Sequence, residues 1–421
     1  MILRAKAVLP VRRPAIRNGA VRVQGSRITA VGEWRSIQRG GWERVIDLGD
    51  SLLLPGLVDA HCHLDYTHMA GQFPPPKSFI DWLKAIVSTK AGWSVPDFEA
   101  SWRAGAEMLV RTGTTTVADI EVVPELLPGL WSATPLRMIS FLEMIRITGR
   151  RPSGEILKEA LNKYRSIRGS PARAGLSPHA PYTTGPELLR LTAQAARRLK
   201  LLICTHLAES ALEFEMFKNA TGAMYEWLRR SGREISDCGL GSPTRHLERC
   251  GLLGRNLLVA HANYLGRGDA ALLARRAVSV VHCPRSHAYF RHEAWPVHKL
   301  RRAGVNVCLG TDSLATVYKR RKQTVELNMF DEMRALAECD LSLSPQQIVR
   351  MATANGARAL RLVGKVGEIS PGAFADLIAL PLGADGQDLY GAVLRHYGNV
   401  SASMIGGRWA LQPAQTRGAP I

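Results

Sequence analysis

Read from the N-terminus, the chain alternates short apolar runs with polar turns over Met1 to Leu54. Ala20 to Gln24 and Arg27 to Val31 alternate apolar with polar, and Gly25-Ser26 between them fits a two-residue hairpin turn. The same texture returns beyond Leu362, in Asp376 to Leu380, Ser401 to Ile405 and, after Gly406-Gly407, Arg408 to Leu411. Each end alone is too short for a core, so residues 1–54 and 362–421 are expected to pair into one small β-sandwich domain flanking the middle.

The middle, residues 55–361, has a different rhythm. Continuous apolar runs recur at Leu57 to His63, Thr114 to Ile120, Leu136 to Ile145, Ala174 to Pro178, Leu201 to His206, Leu257 to Ala262, Val278 to Cys283 and Val305 to Thr311. Each precedes helix-like sequence, with starts marked by Ser94 before Pro96, Ser153 before Glu155 to Arg168, and Ser344-Pro345. Eight strands each followed by a helix predict an α/β fold, a closed parallel (β/α)8 TIM-like barrel. A barrel of this kind carries its chemistry at the C-terminal ends of its strands.

Those ends are unusual. Pro55-Gly56 breaks the chain before Leu57, and the strand that follows ends in His61-Cys62-His63, where positions i and i+2 project to one face. A bare His-x-His is more often a surface pair than a metal site. Here, however, His206 ends the fifth strand, His261 the sixth, and Asp312 follows the eighth, in a chain with only 12 histidines. Three imidazoles and a carboxylate suit a zinc-like or ferrous ion with a position left for water. A bound metal lowers the pKa of its water, a nearby carboxylate can take the proton, and an imidazole can steady the hydroxide.

The motifs Pro55-Gly56-Leu57-Val58-Asp59-Ala60-His61-Cys62-His63, Ser177-Pro178-His179-Ala180-Pro181-Tyr182, His206-Leu207-Ala208-Glu209, His261-Ala262 and Gly310-Thr311-Asp312-Ser313 resemble the amidohydrolase superfamily. Within it they resemble the aminohydrolase branch of guanine, methylthioadenosine and aminodeoxyfutalosine deaminases and triazine hydrolases. Gly367-Glu368-Ile369-Ser370-Pro371-Gly372 and Ala375-Asp376-Leu377 resemble the family's return to its small domain. The resemblance implies one divalent metal, zinc or alternatively iron, on His61, His63, His206 and Asp312, with Glu209 as proton shuttle and His261 beside the water. A two-metal variant would need a bridging lysine at the end of strand four, where Ser177-Pro178-His179 has none.

Three further residues are candidate substrate contacts. His179 matches a substrate-contacting histidine of the branch, with a supporting structural role as its alternative. Glu143 ends the third strand and either contacts substrate or caps the barrel rim. Arg285, in Cys283-Pro284-Arg285-Ser286, resembles the form in aminodeoxyfutalosine deaminases and suits capture of a substrate carboxylate; its alternative is a pair with a neighbouring acid. His287 and the run Ala315-Thr316-Val317-Tyr318-Lys319 depart from the family pattern, and nothing distinguishes His282 from a packed histidine.

Composition narrows the rest. Hydrophobic content of 46% and charged content of 22% over 421 residues are ordinary for a soluble globular protein. Met1 to Arg12 carry no apolar region of signal-peptide length and no stretch suits a membrane span, so no membrane partner and a cytoplasmic location are expected. The odd count of seven cysteines, with Cys62, Cys204, Cys283 and Cys308 in core strands, reads as reduced thiols. A net charge of +19 raises nucleic acid, but Arg197-Arg198, Arg229-Arg230, Arg275-Arg276 and Arg301-Arg302 fall near helix ends. Neither they nor the run Lys319-Arg320-Arg321-Lys322 carry interleaved aromatics, so solvated helix ends are favoured over a nucleic-acid groove.

The expected activity is therefore metal-dependent hydrolytic deamination of a purine-like nucleoside or base, aminodeoxyfutalosine among them, in a chain that can form homo-oligomers. A cyclic amide or chloro-heterocycle hydrolase on the same scaffold is the enzymatic alternative, since fold and metal do not fix the leaving group. A non-catalytic basic scaffold or RNA-binding protein is the alternative of another class, disfavoured by an intact proton-transfer set.

Overall fold

The computed structural model describes residues 1–38, 43–74, 76–167, 173–320, 322–383 and 387–414. The N-terminal strands are β1 (Ile2–Val8), β2 (Ile16–Gln24), β3 (Arg27–Glu33), β4 (Val45–Asp47) and β5 (Ser51–Pro55). Eight parallel strands follow: β6 (Leu57–Cys62), β7 (Thr114–Glu121), β8 (Arg137–Met144), β9 (Arg173–Pro178), β10 (Ile203–Leu207), β11 (Leu257–His261), β12 (Ser279–His282) and β13 (Asn306–Leu309). They pair in sequence order, and the barrel closes where His63 N donates to Asp312 O at 2.9 Å and Asp312 N to His61 O at 3.0 Å. Closure therefore happens at the residues expected to hold the metal.

The barrel interior is filled by Val58, Ala60, Ile120, Phe141, Leu258 and Val281, with Cys204, Cys283 and Cys308 acting as small apolar fillers. All seven cysteines are free and only Cys339 is exposed. Helix starts follow their caps: Ser94 and Ser344 each form a reciprocal capping box, with proline in the first turn, opening Val95–Arg111 and Pro345–Met351. The Ser153–Ile167 helix runs to the edge of the described residues, so Arg168 lies outside them, as does Arg321 of the basic run. The four arginine pairs do fall in or beside the last turns of their helices, complementing the helix dipole.

The C-terminal strands β14 (Leu377–Pro381), β15 (Ala402–Ile405) and β16 (Arg408–Leu411) join the N-terminal ones in one mixed eight-stranded sheet, through antiparallel pairing of β14 with β5. The Gly25-Ser26 hairpin forms as expected, with Gln24 opposite Arg27. Gly56 alone separates this sheet from the barrel, and a Cβ there would lie 2.1 Å from Thr115 Oγ1. Asp376 fixes the joint, accepting from Arg137 Nε at 3.0 Å and Nη2 at 3.1 Å and from Gly406 N at 2.7 Å. No described helix is long and apolar enough to cross a membrane.

Candidate active site

Strand geometry brings the ligand candidates together. His61 and His63 leave β6 on one side, His206 comes from β10, His261 ends β11, and Asp312 follows β13. His63 Nε2 lies 3.3 Å from His206 Nε2, while Asp312 Oδ1 lies 3.8 Å from His61 Nε2 and 3.7 Å from His63 Nε2. One ligand atom from each of His61, His63 and His206 lies within 4.8 Å of the other two, and the same holds for His61, His261 and Asp312. His261, Ala262 and Asp312 hold positive φ values of 72°, 47° and 55°, a backbone region that non-glycine residues occupy at a cost and that recurs at functional sites.

The donor chemistry fits a cation. Burial and neighbouring imidazoles hold His61, His63 and His261 well below the usual imidazole range, and His206 is lowered to about 3, so all four are neutral and present lone pairs. His206 Nδ1 meets His179 O at 2.8 Å, which makes Nδ1 the protonated nitrogen and leaves Nε2 as the donor atom. His61 Nε2 and His261 Nε2 are buried with no hydrogen-bond partner among the described residues. Burial pushes Asp312 up to about 6, against hydrogen bonds from Ser286 and Thr316. Thr316, in the run that departs from the family pattern, sits 3.3 Å from Asp312 Oδ2 and so supports the carboxylate.

Glu209 and His261 stand next to this cluster, with Glu209 Oε1 3.7 Å from His261 Nε2. Glu213 Oε2 accepts the Glu209 backbone N–H at 3.0 Å, and Asn263 Nδ2 donates to Glu209 O at 2.8 Å. Burial first, then the charges of Asp312 and Glu213, raise the Glu209 carboxyl well above the usual range.

A cavity of about 120 Å³ opens over these groups and is lined by His63, His206, Glu209 and Asp312 as well as His179 and Glu143. His179 Nδ1 lies 2.6 Å from Thr183 Oγ1, and burial lowers the ring to about 3. Tyr66, Trp82, Ile86 and Lys90 also line it, together with Tyr182 and Trp227. Trp82, Leu83, Ile86, Val87 and Lys90 of this wall come from the Phe79–Ala91 helix, which the sequence reading did not identify; Ser78 as its cap and the apolar Phe79, Ile80, Leu83 and Ile86 were the available signal.

Of the two readings of Arg285, the structure shows the pair with a neighbouring acid. It does not line the cavity: Nε meets Glu332, Nη1 donates to Glu326 O at 3.0 Å and reaches Asp331 at 3.4 Å, and its backbone N–H donates to Glu332 Oε2 at 3.0 Å. The pair with a neighbouring acid is the alternative the molecule adopts. His282 is packed, its ring stacked on Trp295 at 3.8 Å, and His287 Nδ1 meets Asn263 Oδ1 at 3.1 Å.

A family model described as the amidohydrolase family matches residues 52–410. A 5-methylthioadenosine/S-adenosylhomocysteine deaminase of Syntrophobacter fumaroxidans is 32% identical over 377 residues, covering 86% of this chain and 80% of the relative. A 5'-deoxyadenosine deaminase of Methanothermobacter thermautotrophicus is 29% identical over 376 residues, covering 87% and 81%. Among solved structures, an adenosine deaminase from Xanthomonas campestris with bound zinc superposes with a TM-score of 0.82 at 25% identity, over 97% of this chain and 92% of that one. The Helicobacter pylori aminofutalosine deaminase shares the fold with a TM-score of 0.85 at 21% identity, over 97% and 100%.

Proposed function

Because the chain belongs to the amidohydrolase family, we propose that it hydrolyses an exocyclic C–N bond of a purine-like ring and releases ammonia. The observation that carries this reading is the placement of Glu209 at one cavity wall, beside His261 and next to the His61, His63, His206 and Asp312 cluster. In this reading those four side chains hold one divalent ion, zinc in the first instance. Such an ion, when bound, supplies Lewis acidity that makes water a nucleophile near neutral pH.

The chain's own groups do the rest. Burial keeps the imidazoles neutral, so they serve as ligands and acceptors rather than cations. The Glu209 carboxyl, raised by burial, favours holding a proton, as a group must that takes one from water and delivers it to a leaving amine. Its backbone is fixed on both sides by Glu213 and Asn263, which orients the carboxyl toward the cavity chemistry. His179 is tethered by Thr183, whose hydroxyl donates to Ala180 O at 3.2 Å and therefore accepts from Nδ1–H, leaving Nε2 free to accept from substrate. The unpaired cysteines suit a reducing compartment, and we assign the protein to the cytoplasm.

The test is ammonia release by the zinc-loaded protein across adenosine-type nucleosides, free aminopurines and a chloro-triazine. Release from aminopurine compounds supports the reading. Turnover of the chloro-triazine alone, with chloride and no ammonia, would replace it with the chloro-heterocycle alternative.

A further inference from the structure

Behind the cavity a chain of hydrogen bonds runs from His287 to Glu209. Glu209 follows Ala208, whose φ of 47° is a backbone region that alanine occupies at a cost, so the turn that aims the carboxyl has to be held by its surroundings. Asn263 supplies part of that hold. Its backbone N–H donates to Ala208 O at 3.1 Å and its Nδ2 to Glu209 O at 2.8 Å. The second bond fixes which way the amide faces, because turning it over would set Asn263 Oδ1 against another carbonyl. Oδ1 then faces His287 Nδ1, 3.1 Å away, and among the described residues no other group donates to it.

The His287 proton therefore belongs on Nδ1. Burial holds this ring below the usual imidazole range, against the pull of the Glu293 carbonyl, so the ring is neutral and its single N–H is spent on Asn263. Two further imidazoles hold the ring from turning: His282 at 5.2 Å and His292 at 5.3 Å meet it edge-on, and His282 is itself stacked on Trp295. Trp295 Nε1 in turn donates to His261 O at 3.0 Å, so the segment 284–295 backs both Glu209 and His261. Neither His287 nor Asn263 lines the cavity.

We infer that His287 is a positioning residue for the proton transfer: through Asn263 it holds the Glu209 carbonyl and so sets where the Glu209 carboxyl stands. This rests on the deaminase reading, which gives that carboxyl its task. Without the His287 donor, Asn263 keeps a buried carbonyl oxygen that has no partner. The amide turns to find one, its grip on Glu209 O is lost, and the carboxyl leaves the position that the transfer needs. Substrate affinity, set by walls these two residues do not form, is unchanged.

The experiment compares the zinc-loaded wild type, His287→Phe and His287→Asn on the aminopurine compound that wild type turns over best. Phenylalanine keeps a ring and its packing but has no donor, whereas asparagine gives up the ring and places an N–H near where Nδ1 stood. His287→Phe is expected to lose about 10-fold or more in kcat, with KM within about twofold and zinc content unchanged, while His287→Asn stays within about threefold of wild type. Stability should run the other way, because asparagine leaves a void and phenylalanine does not. A kcat that follows the melting temperature, an equal loss in both variants, or no loss in His287→Phe overturns the inference while ammonia release still stands. The link is also read without turnover, by proton–nitrogen NMR of the imidazoles with His287 assigned by its disappearance in His287→Phe: a proton on Nδ1 is expected, and one on Nε2 alone overturns the inference. Silence of the wild type on every aminopurine compound takes down the deaminase reading and this role with it, whichever nitrogen carries the proton.

Discussion

Arg285→Met is the substitution whose outcome differs most between the pairing seen in the structure and the carboxylate contact expected from sequence. The Glu332 side chain is fully buried and that of Arg285 is 12% exposed. Burial pushes Glu332 up to about 7 even with the opposing pull of the Arg285 guanidinium, so the pair stands close to the limit of what the interior tolerates. Removing the arginine leaves a buried carboxylate without its cation, which costs about 3–5 kcal/mol. For a chain of 421 residues the unfolding entropy is about 0.9 kcal/mol per degree, so the melting temperature should fall by about 3–6 °C where that full cost is reached at alkaline pH, and by about 2 °C at about pH 8.5. The loss has a pH signature. Glu332 already titrates above its unfolded value, so below about 7 it is neutral in the folded wild type and the arginine contributes little. As pH rises past about 7 the wild-type carboxylate ionises against Arg285 while the variant's resists, and the difference grows by about 1.4 kcal/mol per pH unit until the variant's carboxylate also ionises. Thermal unfolding of both proteins at about pH 6 and about pH 8.5, followed by circular dichroism, reads this directly. Arg285→Met/Glu332→Gln should recover more than half of the loss, because the glutamine keeps an acceptor for the Arg285 backbone N–H without the charge. Activity should fall alike on carboxylated and uncharged aminopurine nucleosides. A melting temperature within about 1 °C of wild type at the higher pH, with activity lost only on the carboxylated compound, would refute the pairing argument.

Glu209→Gln should retain bound zinc and lose about 10²-fold or more in kcat, the usual size for removal of a general acid/base; near-normal turnover in a metal-replete variant would mean that another group moves the proton. Gly310→Ala would place a Cβ 2.6 Å from His61 O and 2.9 Å from His61 N, so it should displace that ligand and lower metal affinity or activity by about 10–100-fold. Metal content and turnover equal to wild type in Gly310→Ala would show that the β6 backbone yields without cost.

The barrel and the convergence of the candidate ligands at one end of it were legible because both rest on periodicity. A strand sends His61 and His63 to one face by geometry alone, and equivalent strand ends put His206, His261 and Asp312 around the same point. The pairing of β5 with β14 was legible only as a likeness of texture between the two ends, and which strands meet is set by contacts more than 300 residues apart in sequence, such as Leu54 with Ile378. Arg285 was left between two readings because an arginine just past a strand has the same sequence whether it faces the cavity or the next helix. Its partner Glu332 lies on Met329–Cys339, 47 residues away, and no local pattern joins them. Tyr66 and Lys90 were missed for a related reason: their place in the cavity wall depends on how the segment after β6 folds back over the barrel mouth, which no strand-end rule describes.

The central claim, hydrolytic deamination that depends on one ion held by His61, His63, His206 and Asp312, is tested most directly by titrating zinc into metal-stripped protein while following ammonia release from adenosine. The account predicts no turnover in the stripped protein and a linear rise that ends at one zinc per chain. Turnover without metal, or a rise that continues to two ions per chain, would contradict it.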